Sequence, residues 1–129
     1  MLPSTDTTYL AERGMSHTLT TDANMTCILI RDFPLPAGYD RPKSDLLLRF
    51  NAGYPDVPPD MWWFDPPVKR ADGQTIPATE VVERYFDRSW QRWSRHLPQG
   101  LWQSGIDGLE SYLALLRKEL QRSAPGGGR

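Results

Sequence analysis

Asp45-Leu46-Leu47-Leu48-Arg49-Phe50 runs through Asn51-Ala52-Gly53 into Tyr54-Pro55-Asp56-Val57-Pro58-Pro59. The first six residues form an apolar, strand-like run. The last six are rigid, because proline fixes φ near about −65° and removes a backbone donor. The chain therefore leaves a sheet here along one defined path.

Working outward, Met61 to Phe64 carries two tryptophans and reads as the next strand. Upstream, Met25 to Arg31 is β-rich and bounded by the turn chemistry of Asp22-Ala23-Asn24. His17 to Thr20 alternates and reads as a first strand, and Phe33 to Tyr39 as a loop. Short links between consecutive strands predict a four-stranded antiparallel meander. Thr8 to Arg13 reads as a short helix that Gly14 closes.

The second half has a different texture. Thr79 to Tyr85 carries a loose helical pattern that also fits irregular chain. Trp90, Trp93 and Trp102 lie in a stretch broken by Pro98 and Gly100. Ser104-Gly105-Ile106-Asp107 reads as a helix start, with Ser104 as N-cap and Asp107 at the positive end of the dipole. Ile106, Leu109, Leu113, Leu116 and Leu120 follow at helical spacing and define one apolar face. The fold class expected is α+β, a four-stranded meander flanked by an N-terminal and a C-terminal helix. One domain would span residues 1–122, and 123–129 would be a flexible, glycine-rich tail.

A length of 129 residues suits one compact core, and 39% hydrophobic with 24% charged residues reads as globular. A net charge of −1 gives no bulk attraction to nucleic acid or to an anionic membrane. No apolar run approaches a membrane span, and Met1 to Asp6 lacks the pattern of a secretory signal, so a cytoplasmic location is expected. A single cysteine, Cys27, allows neither an internal disulfide nor a thiolate metal cluster. No cofactor is expected.

The order of elements, the Tyr54–Pro59 motif, the Pro34 to Tyr39 linker, and a tryptophan-bearing region before a late helix together resemble the ubiquitin-conjugating (UBC) fold. The likeness spans roughly Tyr9 to Leu120. Within that fold the chain is similar to divergent bacterial ubiquitin-conjugating-like proteins, which carry a comparable Trp90-x-x-Trp93-Ser94-Arg95-His96 segment before a late Trp and helix. The resemblance implies an activating enzyme and a ubiquitin-like protein as partners, in a pathway of the kind that serves antiviral defence. It implies neither nucleic acid nor membrane.

The likeness departs at the chemistry. The His-Pro-Asn turn that follows the fourth strand in the eukaryotic enzymes corresponds to Phe64-Asp65-Pro66-Pro67, which has no Asn. No cysteine lies between Val68 and Gly105. Cys27 sits in an apolar run and reads as buried. Counting back from the late helix places the nucleophile position between Trp90 and His96, where Ser94 and His96 occur together. A serine needs a base to take its proton, and His96 is the nearby histidine. Ser94 could then carry the modifier as an oxyester, with Arg95, Arg92 or a backbone N–H steadying the oxyanion. The same residues also read as an ordinary loop in a catalytically silent UBC-fold module that scaffolds the activating enzyme and the modifier. Adjacent Trp62 and Trp63 must face opposite ways on a strand, so one is expected exposed as an interface candidate. Gly126-Gly127-Gly128-Arg129 resembles a modifier's glycine tail, but no β-grasp pattern precedes it, so it reads as a tail or linker.

Overall fold

The computed structural model describes residues 2–97 and 100–125. Two helices, α1 (Ser4–Glu12) and α2 (Leu109–Ser123), accompany six strands: β1 (His17–Asp22), β2 (Met25–Pro34), β3 (Lys43–Phe50), β4 (Met61–Asp65), β5 (Val82–Tyr85) and β6 (Arg88–Ser94). The strands form one antiparallel, curled sheet in the order β1-β2-β3-β4-β6-β5. The first four are the expected meander. The expected total of four is corrected to six, because the region between Thr79 and Ser94 adds a hairpin to β4. Phe86 and Asp87 both take positive φ (56° and 60°), which closes a two-residue turn between β5 and β6.

Both faces of β3 are buried, which explains its unbroken run of leucines. Leu46, Leu48 and Phe50 point towards the helices and join Ile28, Trp62, Phe64 and Trp93. On α2, Leu109, Tyr112, Leu113, Leu116 and Leu120 meet them. Leu47 points the other way, into a smaller cluster with Cys27, Trp63 and Trp90. No described helix covers that outer cluster. Its roof is made of long polar side chains: Arg49 lies 3.9 Å from the Tyr85 ring centroid and Arg88 4.5 Å from that of Trp90. Arg88 also bridges Asp45 and Asp65 at 2.9 and 2.8 Å. Trp62 and Trp63 do face opposite sides, yet they are only 3% and 5% exposed, so neither is a surface anchor. Trp63 Nε1 donates to Glu83 at 2.8 Å under this roof.

The helix boundaries differ from those expected. α1 begins at Ser4, four residues before Thr8, while Gly14 ends it as predicted. The Gly14 N–H bonds to the Ala11 carbonyl and the Met15 N–H to the Leu10 carbonyl, with Gly14 at φ +64°. α2 begins at Leu109 and not at Ser104. Residues 104–107 make a turn, in which the Ser104 hydroxyl binds Asp56 and Asp107 Oδ2 accepts the Gln103 N–H. Ile106 is therefore off the helix and 77% exposed.

The cap of α2 comes from elsewhere in the chain. Buried Asp6, on α1, accepts the Leu109 N–H at 3.0 Å, and Ser111 Oγ accepts the Gly108 N–H at 3.0 Å. A Cβ at position 108 would lie 2.9 Å from Asp6 Oδ1, so this approach requires glycine. The second Asp6 oxygen accepts the Tyr54 hydroxyl. The Tyr54 ring stacks on Phe50 with centroids 4.2 Å apart, and Trp102 Nε1 donates to the Pro55 carbonyl at 2.8 Å. Burial, with the Asp6 hydrogen bond and charge, pushes the Tyr54 phenol well above its ordinary pKa. The Tyr54–Pro59 motif is thus the joint where the end of β3, α1 and the start of α2 meet. At the other end, Ser123 closes α2, Ala124 is buried, and Pro98 and Gly126–Arg129 lie outside the described residues.

Candidate functional site

β6 delivers Trp93, Ser94, Arg95 and His96 in sequence to the start of β4. Alternation along the strand sends Trp93 into the helix-side core and Ser94 to the outer face. Ser94 pairs with Met61, its N–H bonds to the Ala78 carbonyl at 3.1 Å, and the Arg95 N–H bonds to the Asp60 carbonyl at 3.2 Å. Ser94 is half-buried, and among the described residues its hydroxyl has no hydrogen-bond partner.

His96 is exposed, and its Nδ1 stands 3.2 Å from Asp60 Oδ2. A carboxylate beside Nδ1 favours the proton on that nitrogen, which leaves Nε2 as the open acceptor. Asp60 was not among the residues singled out by sequence. Its partner lies two residues past the end of β6, far along the chain, and the pairing of β6 with β4 brings them together. Arg95 separates Ser94 from His96, and no hydrogen bond joins the two.

Arg95 faces away from the Ser94 hydroxyl, towards α2. Its Nε donates to Glu119 at 2.8 Å and its Nη1 to the Pro77 and Ser94 carbonyls at 2.9 and 3.0 Å. Arg122 and Ser123 also donate to Glu119. Burial raises the Glu119 pKa, but these donors outweigh it and hold the carboxyl below its usual range. Arg92 is committed to Glu83 at 3.2 Å.

The segment 66–81 follows β4, where the resemblance would place a catalytic turn. It forms the wall of an open cleft of about 610 Å³. Gln91 fixes this wall, with its side-chain amide accepting from the Val68 N–H at 2.8 Å and donating to the Val68 carbonyl at 3.0 Å. Val68, Ile76, Thr79 and Val82 line the cleft, one residue away from the Ala78 carbonyl that holds Ser94. Among the described residues no group of His, Cys, Asp or Glu is arranged to hold a metal ion.

Cys27 is fully buried in the outer cluster. Burial pushes its thiol up, and nearby Arg49 offsets this only in part. It has neither the exposure nor the acidity of a reactive thiol. No described helix is long and apolar enough to cross a membrane. A family model described as Prokaryotic E2 family E matches residues 2–123. No curated protein and no solved structure matches the chain.

Proposed function

The chain belongs to prokaryotic E2 family E, and on that premise we propose that it carries a ubiquitin-like protein without forming a thioester. Its place is in a bacterial conjugation pathway, with an activating enzyme upstream. The carrier atom is Ser94 Oγ. It attacks the activated C-terminal carbonyl of the modifier, and its proton passes to His96 Nε2. The bond to the activating enzyme breaks, and its electron pair leaves with that enzyme. Asp60 holds the imidazole and balances its charge. Arg95 is a positioning residue, because its guanidinium pins the end of β6 to α2 and is not free to meet an oxyanion.

One observation supports this reading: an Asp60–His96 pair lies two residues along the chain from Ser94, whose hydroxyl has no hydrogen-bond partner among the described residues, while the chain's one thiol is buried. The test mixes the protein with its activating enzyme, modifier and ATP. The expected adduct survives thiol but is cleaved by hydroxide, is lost in Ser94→Ala, and persists in Cys27→Ala. A thiol-labile adduct, or one that survives Ser94→Ala, overturns it. A second reading is favoured by the missing Ser94–His96 hydrogen bond: a silent module that holds the activating enzyme and modifier together. It predicts a stable complex with no adduct in the same reaction.

A further inference from the structure

We infer that the free edge of β1 is a self-association surface, and that its occupant is a second copy of this chain. The strand order leaves two edges, β1 and β5. Natural sheet edges are blunted by short length, charge, proline or bulges. β5 follows that rule, being four residues long with Glu83 and Arg84 in its middle. β1 does not. Its six residues, His-Thr-Leu-Thr-Thr-Asp, are uncharged from Thr18 to Thr21, and its ladder with β2 runs unbroken from His17↔Ile30 to Asp22↔Met25. Thr18 to Asp22 are all exposed.

The hairpin fixes which backbone groups face outward. Ala23 and Asn24 form its two-residue turn, with φ of 51° and 65°. Asp22↔Met25 is therefore the first hydrogen-bonded pair, and such pairs recur at every second residue. Asp22, Thr20 and Thr18 spend their N–H and C=O groups on β2. Thr21, Leu19 and His17 present theirs to the open edge.

A second β1, antiparallel and related by a two-fold axis at Leu19, matches all three. Leu19 meets the partner's Leu19, His17 meets the partner's Thr21, and Thr18 meets the partner's Thr20. No charge faces a like charge, Thr18, whose hydroxyl accepts from Arg31, sits opposite the partner's Thr20, and the 43% exposed leucine gains an apolar neighbour. Axes at Thr18 or Thr20 separate the leucines and pair fewer of the outward residues. The two sheets become one continuous sheet. A six-residue edge spans only about 20 Å, small for a permanent interface, so the dimer is reversible and concentration-dependent.

The register supplies the test. Across such a pair the two residue-19 Cα atoms lie about 5.5 Å apart, within disulfide range. In the full chain under mild oxidation, Leu19→Cys is expected to form a disulfide dimer at least tenfold faster than Thr21→Cys. Buried Cys27 does not compete. Sedimentation of the unmodified chain is expected to show a reversible monomer–dimer equilibrium. Leu19→Lys should weaken it at least tenfold, with circular dichroism unchanged. Equal rates for the two cysteine variants, an unmodified chain that stays monomeric to on the order of 1 mM, or a Leu19→Lys dimer of undiminished affinity would overturn the proposal. So would a monomer that uses this edge only for a different protein.

Discussion

Glu119 takes donors from both sides of the molecule. Arg95 reaches it from the end of β6, while Arg122 and Ser123 reach it from α2 itself. The side chains of Glu119 and Arg95 are 16% and 17% exposed, so this pair is much less screened than an ion pair on the surface. The folded carboxyl sits below its ordinary value of 4.5. A depressed carboxyl contributes stability that is present above the unfolded pKa and lost as pH falls through the folded one. Glu119→Gln is therefore expected to lower stability by about 2 kcal/mol at neutral pH, since it leaves Arg95 half-buried without its counter-charge. That gap should narrow as the pH falls below 4.5. Urea midpoints of both proteins across this range check it; a pH-independent gap would mean that the charge contributes nothing. Ser94, Arg95 and His96 were legible as a cluster because they are consecutive. Their division of labour was not, since Asp60 and Glu119 reach them from other elements.

At the scale of elements, the β5–β6 hairpin is the part of the fold that carries the candidate site, and its turn is poorly suited to its shape. A two-residue turn with both φ positive favours Asn-Gly, whereas this one holds Phe86-Asp87, with Phe86 40% exposed. Replacing both, Phe86→Asn with Asp87→Gly, is expected to stabilise the protein by about 1 kcal/mol, read as a higher urea midpoint. No gain would mean that the Phe86 ring contributes packing equal to the backbone strain. The same turn explains why the hairpin was hard to read. Without glycine in the turn, and with charged Glu83 and Arg84 between Val82 and Tyr85, this four-residue strand carries only a weak strand signal. β3 and the α2 face from Leu109 to Leu120 were legible because burial there dictates the residue type. The start of α2 was not, because its cap is Asp6, which is distant in sequence. Ser104 imitates a local cap and serves a turn instead.

The whole molecule is one sheet with two unequal apolar layers. The helix side is a conventional core. The outer layer, with Cys27, Leu47, Trp63 and Trp90, has Leu29, Met61 and Tyr85 packed against it and is roofed by the Arg49, Arg88 and Glu83 side chains. Two routes could expose Cys27. The roof could lift locally as those side chains move, or the sheet could come apart. Cys27 lies on β2, in the middle of the sheet's first three strands, with paired neighbours on both sides. Arg49 Nη1 lies 3.7 Å from Cys27 Sγ, but Leu47, Trp63 and Trp90 share the same buried cluster, so moving the arginine alone leaves the thiol packed among apolar side chains. Reaction with a thiol reagent is therefore expected only through global unfolding. Its rate should be slow in buffer and rise with urea along the slope of equilibrium unfolding. A fast, urea-independent phase in buffer would instead place Cys27 behind a moving roof, and would return the thiol to consideration as a carrier of the modifier.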